Sequence, residues 1–174
     1  MLRSPTKKKR RCASTTLLMY GEGLCEEIFL KHLKFIYYRS QGVAIRVEGG
    51  RGGSAPDIVN DAVKMVGDFD RRVVILDNDK PTKEMAAARA IAAQCGIMLI
   101  ENSPCLEATL LSVLVGDKLP KGKSSEWYKR EFESKYIDKR KRADSDEYKK
   151  VFDKNLLDIH RPRVKEIDIL IDLM

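Results

Sequence analysis

Short apolar runs and longer stripes of apolar residues at helical spacing alternate four times along the first 115 residues. Thr15 to Tyr20 is a short run rich in strand formers, which predicts a first strand. Gly21-Glu22-Gly23 interrupts it, and Leu24 to about Tyr38 then reads as a helix with Ile28, Phe29, Leu33 and Ile36 on one face. Ala44 to Val47 predicts a second strand. After the glycine-rich Gly49–Ser54, Ser54 is placed to cap a helix whose stripe is Ile58, Val59, Ala62, Val63 and Val66. Arg72 to Leu76 is a continuous apolar run of the kind found in buried parallel strands. An alanine-rich helix follows over Lys83–Cys95, with Gly96 suited to end it. Ile97 to Ile100 predicts the fourth strand, and Pro104 opens a helix to about Val115.

Strands alternating with helices predict an α/β fold, a parallel four-stranded sheet covered by helices, over residues 15–116. Beyond Gly116 the pattern becomes charged and helical, over roughly 125–137, 145–158 and 162–173, so 117–174 is expected to be a helical extension. Residues 1–14 read as a disordered basic arm.

Charge changes the picture. The formal net charge is +7, which points to a polyanion such as nucleic acid as partner. Residues 1–16 hold six basic residues and no acid, among them Lys7, Lys8, Lys9, Arg10 and Arg11. A second basic region spans 118–150 and includes Lys139, Arg140, Lys141 and Arg142, while the remainder is net acidic. Four cysteines without a Cys-x-x-Cys pair, and two histidines, argue against a structural zinc site. No apolar segment follows the basic start and no run is long enough to span a membrane, so a cytoplasmic protein with reduced thiols is expected.

In an open parallel sheet, ligands collect outside the carboxyl ends of the strands. The predicted strands deliver Glu22, Asp77, Asp79 and Glu101 to that edge. Asp77 and Asp79, two apart, project to one side in extended chain and can share a hard cation. Clustered carboxylates repel one another, and bound Mg²⁺ or Mn²⁺ relieves the repulsion. An isolated Asp-x-Asp is a weak signal, since loop acids are common. Its combination with Glu-Gly after the first strand is much more specific.

These residues resemble a known family. Leu17 through Phe29, a hydrophobic run followed by Glu22-Gly23, two residues, then Glu26-Glu27 and an aromatic one residue on, looks like the opening of RloB-like proteins. Val73-Val74-Ile75-Leu76-Asp77-Asn78-Asp79 looks like their Asp-x-Asp strand. Ser103-Pro104-Cys105-Leu106-Glu107 with Leu110-Leu111 resembles their third motif. The resemblance covers about residues 15–115 and implies a Toprim-like (Rossmann-like) fold, shared with topoisomerases, primases and overcoming-lysogenisation nucleases. It further implies metal-dependent phosphodiester chemistry near bacterial restriction or phage defence. By matching position, Glu22 is the Toprim glutamate, Asp77 and Asp79 the metal-binding pair, and Glu26 and Glu107 accessory acids. Leu24, Cys25 and Thr109 stand where the family often has a polar residue, Thr and Trp. None of these departures removes a carboxylate.

The expected chemistry is therefore hydrolysis of nucleic acid at a Mg²⁺ or Mn²⁺ site, with Glu22 as ligand or general acid/base. A second cation fits if Glu26 or Glu107 joins. No tyrosine is assignable as a strand-passage nucleophile, and Tyr20 reads as packing. Arg51, in a loop whose glycines could cradle phosphate, is a candidate phosphate clamp. The chain carries no ATPase domain, so an alternative is a non-catalytic Toprim module beside an ATPase partner protein in a defence complex. A haloacid-dehalogenase-like phosphatase also uses Asp-x-Asp. That family places it on the first strand with Thr or Val two residues later, where Pro81 stands here. His32 and Cys105 read as buried structural residues, His160 as a surface one.

Overall fold

The computed structural model describes residues 13–39 and 42–174. The basic arm's Lys7, Lys8, Lys9, Arg10 and Arg11 lie outside them. Eight elements alternate: β1 (Thr15–Gly21), α1 (Leu24–Tyr37), β2 (Val43–Gly49), α2 (Ala55–Lys64), β3 (Arg71–Asp77), α3 (Thr82–Gln94), β4 (Met98–Asn102) and α4 (Leu106–Val115). Four helices follow: α5 (Ser125–Lys135), α6 (Ser145–Val151), α7 (Lys154–His160) and α8 (Lys165–Asp172).

The four strands form one parallel sheet in the order β2-β1-β3-β4. The chain moves one way from β1 to β2 and the other way thereafter. Right-handed crossovers then put α1 on one face and α2 and α3 on the opposite face. Side-chain alternation follows. Leu17, Met19, Val73 and Ile75 join a core with α1, α4 and the C-terminal helices. Leu18, Tyr20, Val74 and Leu76 join a second core with α2 and α3. The first core includes an aromatic group in which Phe29 meets Tyr148 and Phe152, so the C-terminal helices are packed onto the sheet. His32 is buried there, its Nε2 2.7 Å from the Phe152 carbonyl.

Local chemistry sets most element ends. Ser54 accepts the Asp57 N–H at the start of α2. Gly96, at φ 65°, takes the left-handed conformation that closes α3. Three expectations need correction. The apolar stripe of α2 stops at Ala62: Val63 and Val66 are exposed, Val66 at 85%. The helix itself ends at Lys64, and just beyond it the Arg72 guanidinium donates to the Met65 and Gly67 carbonyls, at 3.3 and 3.4 Å. The single helix expected over 145–158 is two. Phe152 turns inward to full burial, and Asp153 caps α7 through the Leu156 N–H at 2.9 Å. Finally, β4 runs to Asn102, which places Glu101 inside the strand.

Among the described residues, no helix is long and apolar enough to cross a membrane.

Candidate functional site

The sheet order changes direction between β1 and β3, and a crevice opens outside their carboxyl ends, where such sheets bind ligands. Glu22 directly follows β1. Its N–H donates to the Ile75 carbonyl (2.9 Å), its Oε2 accepts the Asp77 N–H (3.0 Å) and its Oε1 accepts the Lys80 ammonium (2.7 Å). Glu22 is thus fastened across the switch point to both strands.

Asp77 ends β3, and strand parity turns it toward α1 and α4. Its Oδ1 accepts the N–H of Leu106, the first residue of α4, at 2.8 Å, so a helix N-terminus faces the carboxylate. Asp79 sits in the following loop. The Lys129 ammonium of α5 stands 3.8 Å from Asp77 Oδ2 and 3.8 Å from Asp79 Oδ2. Glu26 reaches back to accept the Gly23 N–H at 3.0 Å. Glu107 is buried, and its Oε2 has no hydrogen-bond partner.

A cavity of about 420 Å³ joins these groups. Its lining includes Glu22, Glu26, Asp77 and Glu107 on the acidic side and Arg51, Lys129 and Arg142 on the basic side. A larger hollow of about 550 Å³ lies between α4 and residues 116–123, but the carboxylate group does not face it. Charge crowding is visible in the titration of the acids. Burial, reinforced by Glu26, Glu22 and Glu107, pushes the Asp77 carboxyl up to about 8, with Lys129 opposing. Burial, with Glu22 and Glu107 adding, pushes Glu26 to about 7 against its own backbone hydrogen bonds. Burial alone would lower the Lys129 pKa, yet Glu107, Asp77 and Asp79 together raise it.

The structure brings Glu22, Asp77, Glu26 and Glu107 together around one cavity with Arg51 and Arg142, while the exposed Asp79 lies outside its lining and joins the group through Lys129. Glu101 does not join. It pairs with Leu76 in the ladder, so it shares the face of α2 and α3, where Arg89 holds it through two 2.7 Å bonds. Lys139, Arg140 and Lys141 lie on an exposed turn away from the cavity, two of them paired with Asp138 and Glu147. In the glycine loop the Gly50 and Gly52 N–H groups are engaged internally, donating to the Gly21 and Glu22 carbonyls, while the loop lines the cavity with Gly50, Arg51 and Gly52. Lys80 was missed. Lys129, interleaved with Trp127 and Tyr128 in a stretch that suggested base stacking and phosphate contact, was not expected beside Asp77 and Asp79.

The loop has a different use. A Cβ on Gly50 would stand 2.7 Å from the Glu22 carbonyl oxygen, closer than side chains approach backbone. Gly50→Ala is expected to shift Glu22 and cost about 1–3 kcal/mol. Thermal melts of both proteins check this, and an unchanged midpoint counts against the loop as a buttress.

Among the described residues, no group of three or more His, Cys, Asp or Glu side chains is close enough to hold a metal ion as they stand. Lys129 faces both Asp77 and Asp79, and Lys80 is bonded to Glu22. The donor set nevertheless suits a hard divalent cation: its oxygens are carboxylate, Glu26, Asp77 and Glu107 are buried, and Glu107 Oε2 is unpartnered. Cys105, buried beneath the site with its thiol pushed by burial up to about 12, adds no thiolate ligand.

No protein-family model, curated protein or solved structure matches the chain.

Proposed function

We propose that this chain is a metal-dependent nucleic-acid phosphodiesterase of RloB-like, Toprim type, acting in a bacterial phage-defence or restriction setting. One observation carries the reading. Carboxylates following β1 and ending β3 meet those of α1 and α4 at the switch point of a parallel sheet, with Glu26, Asp77 and Glu107 buried, and three cations share their cavity. Asp77, Asp79 and Glu22 would hold Mg²⁺ or Mn²⁺, with Glu26 and Glu107 in reserve for a second ion. When bound, the cation neutralises non-bridging phosphate oxygens and makes water a stronger nucleophile.

The chain's own residues supply the rest. Arg51 and Arg142 face the cavity from the β2–α2 loop and from the turn before α6, where they can bind phosphate oxygens. Glu26, with its carboxyl near 7, can take a proton at Oε1 and return it at neutral pH. The Leu106 N–H and the burial of Asp77 fix that carboxylate's orientation. Lys139, Arg140, Lys141 and the basic Lys7–Arg11 run would contribute charge for binding the flanking backbone. A cytoplasmic setting and an ATPase partner protein belong to the same reading.

A second reading is a Toprim module that binds nucleic acid or a nucleotide without turnover. The pairing of Lys80 with Glu22 and of Lys129 with Asp77 and Asp79 favours it, because these lysines already offset part of the acidic charge. Incubation of the protein with labelled single- and double-stranded DNA and RNA separates the two. Cleavage with Mg²⁺ or Mn²⁺ that EDTA stops is expected. Retention of intact strands in the same metal supports the binding module instead.

A further inference from the structure

We infer that Lys129 is a built-in counter-ion for the acidic site, which an arriving divalent cation displaces and which then takes a phosphate oxygen of the nucleic acid. The inference rests on the metal-dependent reading above and assigns a role that reading leaves open. The Lys129 ammonium lies 3.8 Å from Asp77 Oδ2 and 3.8 Å from Asp79 Oδ2, so one positive charge faces both carboxylates. Neither contact is within hydrogen-bond length. The contrast with Lys80 is direct: that ammonium is bonded to Glu22 at 2.7 Å and its side chain is 16% exposed, whereas the Lys129 side chain is 41% exposed.

The base of Lys129 is fixed while its tip is loose. Its neighbour Tyr128 is buried and donates its hydroxyl to the Pro120 carbonyl at 2.8 Å, and Phe132, one turn on, is buried as well. A flexible four-carbon stem therefore pivots from an anchored helix. One monovalent charge also leaves work undone at the site, since Glu107 lines the cavity with its side chain nine-tenths buried and its Oε2 has no hydrogen-bond partner. A divalent cation between Asp77 and Asp79 would satisfy more oxygens and repel the ammonium. The released tip then has Arg142 and Arg51 as companions around the same cavity of about 420 Å³, three cations from three separate elements. Cation entry and phosphate binding become linked through one side chain.

Mn²⁺ binding to the full chain, followed by the electron-spin signal of free Mn²⁺, tests this with wild type, Lys129→Met, Lys129→Arg and Asp79→Asn. Lys129→Met is expected to bind Mn²⁺ about tenfold tighter than wild type, because a like charge has been removed from the ion's position. Lys129→Arg should stay close to wild type. Calorimetry with a phosphorothioate dinucleotide on the Mn²⁺-saturated proteins should then show about tenfold weaker binding to Lys129→Met. Lys129→Gln gives the same comparison should the methionine variant fold poorly. Equal Mn²⁺ affinity in wild type and Lys129→Met, with binding lost in Asp79→Asn, overturns the inference and leaves the metal reading standing. Unchanged dinucleotide affinity overturns the transfer to phosphate. Failure of every protein to bind Mn²⁺ overturns both.

Discussion

Asp77→Asn is expected to lose metal-dependent cleavage while keeping the fold at least as stable in EDTA. The two effects separate because Asp77 has two oxygens with different tasks. Oδ1 accepts the buried Leu106 N–H at 2.8 Å, and an asparagine carbonyl can do the same. Oδ2 faces Lys129 and the neighbouring acids, so replacing it removes a charge that burial and Glu26, Glu22 and Glu107 oppose. Relief of that repulsion offsets the lost contact with Lys129. The rate should fall about a thousandfold or more, beyond the ten- to hundredfold typical of groups that merely support a metal site. Asp77→Ala behaves differently, since it strands the Leu106 N–H and should cost about 1–3 kcal/mol. Melts in EDTA and cleavage rates in Mn²⁺ for both variants check the argument. Undiminished cleavage by a folded Asp77→Asn protein would remove Asp77 from the chemistry.

The second large effect is on stability against pH. Asp77 and Glu26 both titrate higher in the folded chain than their ordinary values of 3.8 and 4.5, at about 8 and about 7. An acid whose pKa rises on folding favours the folded state while protonated. That contribution is complete below the ordinary carboxyl values and is lost as pH climbs through the folded ones. Without divalent cation, stability should therefore decline from about pH 5 to about pH 8, a pKa difference of one corresponding to about 1.4 kcal/mol. His32 acts in the opposite sense. Its pKa is lowered from 6.5, chiefly by burial, so it penalises the fold as pH drops below that value. The interval from 6.5 to 8 thus belongs to the carboxyls. Melting temperatures in EDTA should fall across it, more gently in Asp77→Asn, and saturating Mg²⁺ should flatten the decline. A level profile in EDTA would mean that the acids are already neutralised by Lys80 and Lys129.

The two stabilisations also bear on each other. At pH 5 the site is partly protonated and should bind cation poorly. At pH 8 it is charged and should gain most from it.

Alternation of apolar runs and stripes made the parallel sheet legible, and the same alternation located Glu22 and Asp77 at its edge. Burial of Asp77 followed from parity along Val73–Asp77, all of which is written in the local pattern. Glu101 shows where that logic is fragile. Ending β4 one or two residues early moves a side chain from inside the ladder to the loop, and with it from the α3 face to the cavity. The break at Phe152 was hidden because an aromatic that leaves a helix to fill a core looks like any other helical apolar residue. Lys129 was illegible for a different reason. Its meeting with Asp77 and Asp79 depends on how α5 docks beside α4, a long-range packing outcome that carries no short motif. The engagement of the Gly50 and Gly52 amides was illegible because loop composition does not disclose which carbonyls lie within reach.

The division of the site between sheet and C-terminal helices separates its two charges in time. Residues leave the ribosome from the amino end, so Glu22, Glu26, Asp77 and Glu107 are all made before Lys129 and Arg142. A chain cut short before α5 would therefore carry Glu22, Glu26, Asp77 and Glu107 without Lys129 and Arg142, and its sheet face would lack the cover that Tyr148 and Phe152 provide.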